Sequence, residues 1–193
     1  MGTDNTPTTI DFGNRSDVVF FEANDGTHGT ELWVTDGTEA GTHLVRDIAE
    51  GSGSGRAARG VQIGEDGIVF IANDGTGSGY ELWFSDGTEA GTRLVKELTV
   101  GSSSGTPNYL TTMPDGRVVF QGYEADHGNE LWVTDGTEAG TVLLKDIYTG
   151  SNSSTPSGFA ALGDGRMVFQ ANDSTNGLEL WVTVGSAAGR VSV

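Results

Sequence analysis

The sequence predicts an all-β protein assembled from four copies of one unit. The phrase Glu-Leu-Trp, followed two residues later by Asp-Gly-Thr, occurs three times in full. In the fourth copy, Val-Gly-Ser at residues 184–186 replaces Asp-Gly-Thr. All four tryptophans fall in this phrase, at intervals of 50, 49 and 49 residues. A fixed period of this length indicates one supersecondary unit stacked on copies of itself.

Each unit is predicted to contain four short strands separated by turns. In the third copy, Asp115-Gly116 and Asp135-Gly136 supply the positive φ angles that tight turns need, and a polar stretch at 124–129 makes a third turn. The strands between these turns are rich in β-branched and aromatic residues. The predicted strands of this copy are 109–113, 117–122, 130–134 and 141–147. No window shows a 3.6-residue apolar period, so no helix is expected.

Four strands joined by short hairpins, with a longer Gly/Ser linker such as 50–60 between units, match the wiring of a β-propeller blade. Runs such as 68–71 are apolar on both faces, which suits sheets covered on both sides by neighbours. A parallel β-helix is the alternative, but Asp-Gly hairpins have no place in it. The units of this single domain, 1–193, are expected at about 3–51, 52–101, 102–150 and 151–193. They would close as a four-bladed ring or supply half of an eight-bladed ring.

The repeated phrase Glu-Leu-Trp-x-x-Asp-Gly-Thr, followed by Glu-Ala-Gly-Thr, resembles the ELWxxDGT repeat of large bacterial extracellular proteins. The resemblance covers about residues 8–190, and three copies match in full. It implies a propeller-like architecture and a location outside the cell or on its surface. It implies no particular activity.

The composition limits the classes of function. Ten basic against 27 acidic residues give a net charge of −17, which argues against nucleic acid and anionic membranes as partners and favours cations. There is no Cys, so no disulfide framework is expected. No apolar run is long enough to span a bilayer. These features fit a secreted, acidic bacterial repeat protein.

The repeated phrase contributes three residue types, and each has a structural and a functional interpretation. The tryptophans favour a core between units over sugar-stacking platforms. The glutamates favour hydrogen bonds to loop amides over cation binding, and the aspartates favour turn caps. These structural repeat residues are Glu31, Trp33, Asp36, Glu81, Trp83, Asp86, Glu130, Trp132, Asp135, Glu179 and Trp181.

The loops between second and third strands carry clusters of Asn and Asp beside Gly. Such oxygens suit calcium, a hard cation, although no copy has the complete spacing of a known calcium loop, and simple turn chemistry explains them as well. The candidate metal ligands are Asn24, Asp25, Asn73, Asp74, Asp126, Asn172 and Asp173. Turn chemistry is the favoured interpretation of these loops, and calcium is the one candidate cofactor.

Departures from the repeat are the places where specific function is expected. They have two interpretations, either drift of the repeat or one candidate ligand-binding patch, made of Arg56, Arg59, Tyr80, Tyr109 and Tyr123. No nucleophile elbow and no distinctive carboxylate pair is present, so the chain is expected not to be an enzyme. The expected function is binding or adhesion outside the cell, with a surface glycan or protein as ligand. A lectin ring and a self-assembling structural subunit are the alternatives.

Overall fold

The computed structural model describes residues 17–65, 67–99, 105–186 and 190–192, and the regular secondary structure of these residues consists of β-strands joined by turns and loops. Sheet 1 contains β1 (Val19–Asn24), β2 (Thr30–Thr35) and β3 (His43–Arg46). Sheet 2 contains β4 (Ala58–Ile63), β5 (Gly67–Ala72), β6 (Glu81–Ser85) and β7 (Arg93–Lys96). Sheet 3 contains β8 (Asn108–Thr112), β9 (Val118–Glu124), β10 (Gly128–Thr134) and β11 (Val142–Lys145). Sheet 4 contains β12 (Ser157–Ala161), β13 (Met167–Asn172), β14 (Leu178–Thr183) and β15 (Arg190–Ser192).

The strands of each sheet follow one another as an antiparallel meander, which confirms the predicted all-β class and excludes the parallel β-helix. Sheet 1 shows three strands, because the first strand predicted for the first unit lies outside the described residues. The fourth strand of sheet 3 ends at Lys145, earlier than the predicted 147. The reason is that the Ile147 amide leaves the ladder and donates to Glu130. No helix in the described part of the chain is long and apolar enough to cross a membrane.

Every sheet has two different faces. One, the tryptophan face, carries the tryptophan of the repeat and the phenylalanine paired with it across the ladder, as in Phe70 and Trp83. The other, the leucine face, carries the leucine that precedes the tryptophan, because neighbouring residues in a strand point to opposite sides. The leucines are Leu32, Leu82, Leu131 and Leu180.

The hydrophobic core lies between consecutive sheets and repeats three times. Leu32 shares a buried cluster with Trp83, Leu82 with Trp132, and Leu131 with Trp181. The leucine face of one sheet therefore packs on the tryptophan face of the next. A sheet with neighbours on both sides needs apolar residues on both faces, and β5 is buried along its whole length.

Polar contacts fasten the edges of these interfaces. The Arg46 guanidinium donates to the Thr92 carbonyl of the next sheet at 2.6 Å. The Lys96 ammonium, at the equivalent position of sheet 2, donates to the Thr141 carbonyl at 2.9 Å. Arg117 reaches the Gly185 carbonyl at 2.7 Å. Several of the few basic side chains thus serve contacts between sheets.

Truncating a leucine should destabilise the protein much more at an inner position than at an outer one. Leu82→Ala should lower the free energy of unfolding by about 2–5 kcal/mol, because it opens a cavity in a closed interface. Leu180→Ala, its matched control on a face that is largely exposed, should change it by less than about 1 kcal/mol. Urea denaturation in dilute solution measures both. Equal losses would contradict the repeated sheet-to-sheet core.

Candidate functional site

The glutamates of the repeat are buried carboxylates that hold the linker to the next sheet. The Ile48 and Gly55 amides donate to Glu31 at 3.1 and 2.6 Å. Gly55 also accepts the Asn73 amide of sheet 2 at 2.8 Å through its carbonyl. One carboxylate therefore joins the end of sheet 1 to the start of sheet 2. Sheets 2 and 3 repeat the arrangement through Glu81 and Glu130.

Glu130 has the most complete set of donors. It accepts the amides of Ile147, Tyr148 and Ser154 and the Ser154 hydroxyl, at 2.7 to 3.3 Å. In the first two copies glycine replaces this serine, and a Cβ on Gly55 would lie 2.4 Å from the Glu31 carboxylate. With the linker in its present position, a side chain at Gly55 would therefore collide with the Glu31 carboxylate.

Burial raises the pKa of the Glu31, Glu81 and Glu130 carboxyls, and the donated amides only partly oppose it. The folded state then binds these protons more tightly than the unfolded state. The associated stability is present below the unfolded pKa and decreases as the pH rises through the folded pKa. Glu179, in the same position of sheet 4, is half-buried.

The aspartates of the repeat cap the turn that follows the third strand. Asp36 accepts both the amide and the hydroxyl of Thr38, at 2.9 and 2.7 Å, and these bonds lower its pKa. Asp135 makes the same pair of bonds with Thr137. A Cβ at Gly41 would lie 2.0 Å from the Asp36 carboxylate, so the turn requires the glycine of Glu-Ala-Gly-Thr.

The tryptophans occupy two environments. Trp83, Trp132 and Trp181 are buried between sheets and leave no ring face for a sugar. Trp33, in sheet 1, is half-buried.

The Asn/Asp loops use their oxygens in tight turns. Asn24 accepts the Gly26 amide at 2.7 Å, and Asn73 accepts the Gly75 amide at 2.8 Å. Asp25 accepts the His28 amide and contacts its ring, and these bonds lower the pKa of Asp25 to about 2 and raise that of His28. The remaining candidate ligands follow this pattern or lie exposed. Asp74 accepts the Thr76 amide and hydroxyl, Asn172 and Asp173 accept amides of residues 174–176, and Asp126 is exposed.

Three of the five residues predicted for a ligand patch line one cleft. Arg56, Arg59 and Tyr80 surround an open cleft of about 610 Å³ beside the start of strand β4, and the lining of this cleft extends from sheet 1 to the linker before sheet 3. Tyr109 is exposed at the position in sheet 3 that corresponds to Arg59, and Tyr123 is half-buried beside the next linker. Neither tyrosine belongs to the residues that line this cleft.

Sequence reasoning missed the rest of the lining, which is Glu22, Thr30, Ala58, Ile71 and Thr106. Glu22 and Ile71 occupy equivalent positions of two units, which the pairing of Phe21 with Trp33 and of Phe70 with Trp83 establishes. The sequence alone does not align these two residues, because the loop before the tryptophan is one residue longer in the second copy. The pairing of the strands is needed to align them. Burial raises the pKa of Glu22, and Arg56 opposes the rise.

The backbone of this lining is unusual, because three of its non-glycine residues, Arg56, Arg59 and Thr106, have positive φ. Arg56 and Arg59 lie at 48° and 54°. Thr106 and Tyr109 repeat the conformation in sheet 3, at 35° and 55°. Left-handed conformations are costly for side chains with a Cβ, and in folded proteins they concentrate at functional sites. Here the residues with this backbone conformation are also the ones that differ between repeats.

No family model matches the chain, and no curated protein matches it. Solved structures do resemble its fold. TolB from Acinetobacter baumannii matches 100% of this chain and 44% of its own, at 12% identity and a TM-score of 0.56. A puromycin hydrolase matches 93% of this chain and 28% of its own, at 17% identity and 0.54. A puromycin-hydrolyzing peptidase of Mycobacterium tuberculosis matches 97% and 28%, at 14% and 0.55.

These likenesses show a β-propeller-like arrangement of sheets and nothing about activity. The chain spans less than half the length of each of these proteins. Its resemblance to the ELWxxDGT repeat stays a prediction.

Removing the carboxylate of Glu130 should destabilise the protein. Glu130→Gln directs an amide group at backbone N–H donors, so the free energy of unfolding should fall by about 1–3 kcal/mol. The deficit relative to wild type should narrow as the pH rises through the folded pKa, because only wild type loses the proton. Urea denaturation at several pH values measures both effects. Glu179→Gln is the matched control and should cost much less. Equal costs would contradict the linker-holding role.

The turn role of the Asn/Asp loops predicts that calcium leaves stability unchanged. The thermal midpoint should be the same in calcium chloride and in EDTA, for wild type and for Asp74→Asn. A ligand that binds only the folded state raises the midpoint as its concentration increases. A rise seen in wild type and lost in Asp74→Asn would establish calcium binding instead.

Proposed function

We propose that this chain is a non-enzymatic β-propeller module for binding or adhesion outside a bacterial cell. Its sheets are blades of a propeller ring, and its ligand site is the cleft beside the start of strand β4. The observation that carries the proposal is that Arg56 and Arg59 share this cleft in a chain with a net charge of −17. The acidic composition and the resemblance to extracellular bacterial repeats support the location.

The chemistry of the cleft favours a carboxylate on a sugar. Guanidinium groups bind carboxylates through paired hydrogen bonds. Tyr80 adds a flat apolar ring with a polar end, which suits stacking on a sugar. A volume of about 610 Å³ fits a small ligand. We therefore propose an acidic glycan, of the uronic-acid class, as the ligand.

The two arginines of the cleft interact with different neighbouring side chains. Arg59 donates to the Asn108 side chain of sheet 3, which orients its guanidinium across the inner strands. Arg56 lies close enough to Glu22 to affect its pKa. A ligand carboxylate would compete with Glu22 for Arg56, and this competition favours ligands with a strong negative charge.

A binding role accounts for the carboxylates better than catalysis does. The three buried glutamates accept amides of the linkers, so they hold structure and do not face the cleft. Glu22 is the carboxylate among the lining residues, and a glycosidase needs two. The pair of arginines is also specific to one linker. Thr106 and Tyr109 stand in the second linker where Arg56 and Arg59 stand in the first.

Glucuronate should bind in this cleft, and glucose, its neutral counterpart, should not. Arg56→Gln and Arg59→Gln should each weaken binding about tenfold, which is the loss of one charged hydrogen-bonded contact. Titration calorimetry measures the affinity. Arg166→Gln is the control, because this exposed guanidinium pairs with Asp164 in sheet 4. Glucuronate that fails to bind, or that binds the double variant unchanged, would refute the proposed site.

A further inference from the structure

Sheet 1 and sheet 4 each expose an apolar face to solvent. The equivalent face of each inner sheet is buried. On sheet 1 this is the tryptophan face, where Val19 is 44% exposed and Phe21 and Trp33 are half-buried. The equivalent residues of sheet 2 are closed off from solvent. They are Ile68, Phe70 and Trp83, at 0, 0 and 6% exposure.

On sheet 4 the exposed side is the leucine face. Leu180 is 48% exposed, whereas its counterparts Leu32 and Leu82 are at 0%. Leu178 adds a second exposed leucine on the same side, two residues earlier in the strand. Val168, opposite Val182 in the ladder, is half-buried, whereas its counterpart Val69 is fully buried.

These two faces are of the same two types that meet at the junctions inside the chain. Inside the chain a leucine face packs on a tryptophan face at three successive junctions. We propose that the leucine face of sheet 4 binds the tryptophan face of sheet 1 in a second copy of this chain. The contact continues the pattern of the internal interfaces, with the same residue types at the same positions.

A second copy is favoured over closure within one chain. Both faces belong to the same chain, yet the buried clusters of the described residues join sheets 1 and 2, 2 and 3, and 3 and 4, but not 4 and 1. The contact is head-to-tail, because the two surfaces differ. Such contacts close into a ring when the rotation between copies permits, and otherwise extend as a filament. Two copies would make a ring of eight sheets.

Charge makes the association dependent on salt. Each copy carries a net charge of −17, so copies repel one another at long range. Salt screens that repulsion and strengthens burial of apolar surface. The proposed contact should therefore form more readily at high ionic strength, independently of any ligand in the cleft.

Light scattering coupled to size exclusion at high salt tests the contact on the whole chain. Wild type should have at least twice the 20.1 kDa mass of one chain. Leu180→Asp and Val19→Asp should each shift the protein to the monomer. Val142→Asp is the matched control, since Val142 is 43% exposed but lies on the outer strand of sheet 3, and it should associate like wild type.

Mixing the two disrupted variants tests the polarity of the contact. Leu180→Asp retains an intact tryptophan face and Val19→Asp an intact leucine face, so the mixture should form a complex of one copy of each. A β-sheet circular dichroism spectrum and a cooperative unfolding transition would show that both variants remain folded. A wild-type monomer at every salt concentration would overturn the proposal, as would association that both variants retain. A larger assembly lost in both variants would support the same contact in an open filament.

Discussion

A buried carboxylate that accepts linker amides is the interaction on which the architecture depends. Each blade-like sheet is a simple meander, and such units are common. What fixes the position of one sheet relative to the next is the linker, and Glu31, Glu81 and Glu130 bind it. Burying a charge is costly unless hydrogen bonds satisfy it. Here the satisfying groups are the amides that the crossing segment would otherwise leave without strand partners.

Different groups drive the stacking of the sheets and set their orientation. Apolar faces supply the driving force for stacking, since leucine and tryptophan faces meet at each junction. Hydrogen bonds at the edges set orientation, through the glutamates inside and through Arg46 and Lys96 across the outer strands. Because each junction repeats the same contacts, stability is expected to add up along the chain, as in other repeat proteins.

Much of this fold follows from the sequence, for identifiable reasons. The tryptophan period defines the unit, and Asp-Gly marks turns whose backbone few other residues adopt. The strand ends were less predictable. The fourth strand of sheet 3 stops early because Glu130, distant in sequence, takes the Ile147 amide. The lining of the cleft was predicted in part. Departures from the repeat identified Arg56 and Arg59, but Glu22 became visible only once the ladder aligned it with Ile71.

At the start of the first strand of sheets 2, 3 and 4, the same two backbone positions are left-handed although their side chains differ. Arg56 and Arg59 share their backbone conformation with Thr106 and Tyr109, and Thr155 and Gly158 continue the series in sheet 4. Residues as different as arginine, tyrosine and glycine are accommodated there without altering the chain path. Substitution can therefore change the chemistry exposed at the start of each of these strands independently, while the stacking interfaces stay untouched. Such a scaffold is well suited to diversification, in nature or by directed evolution.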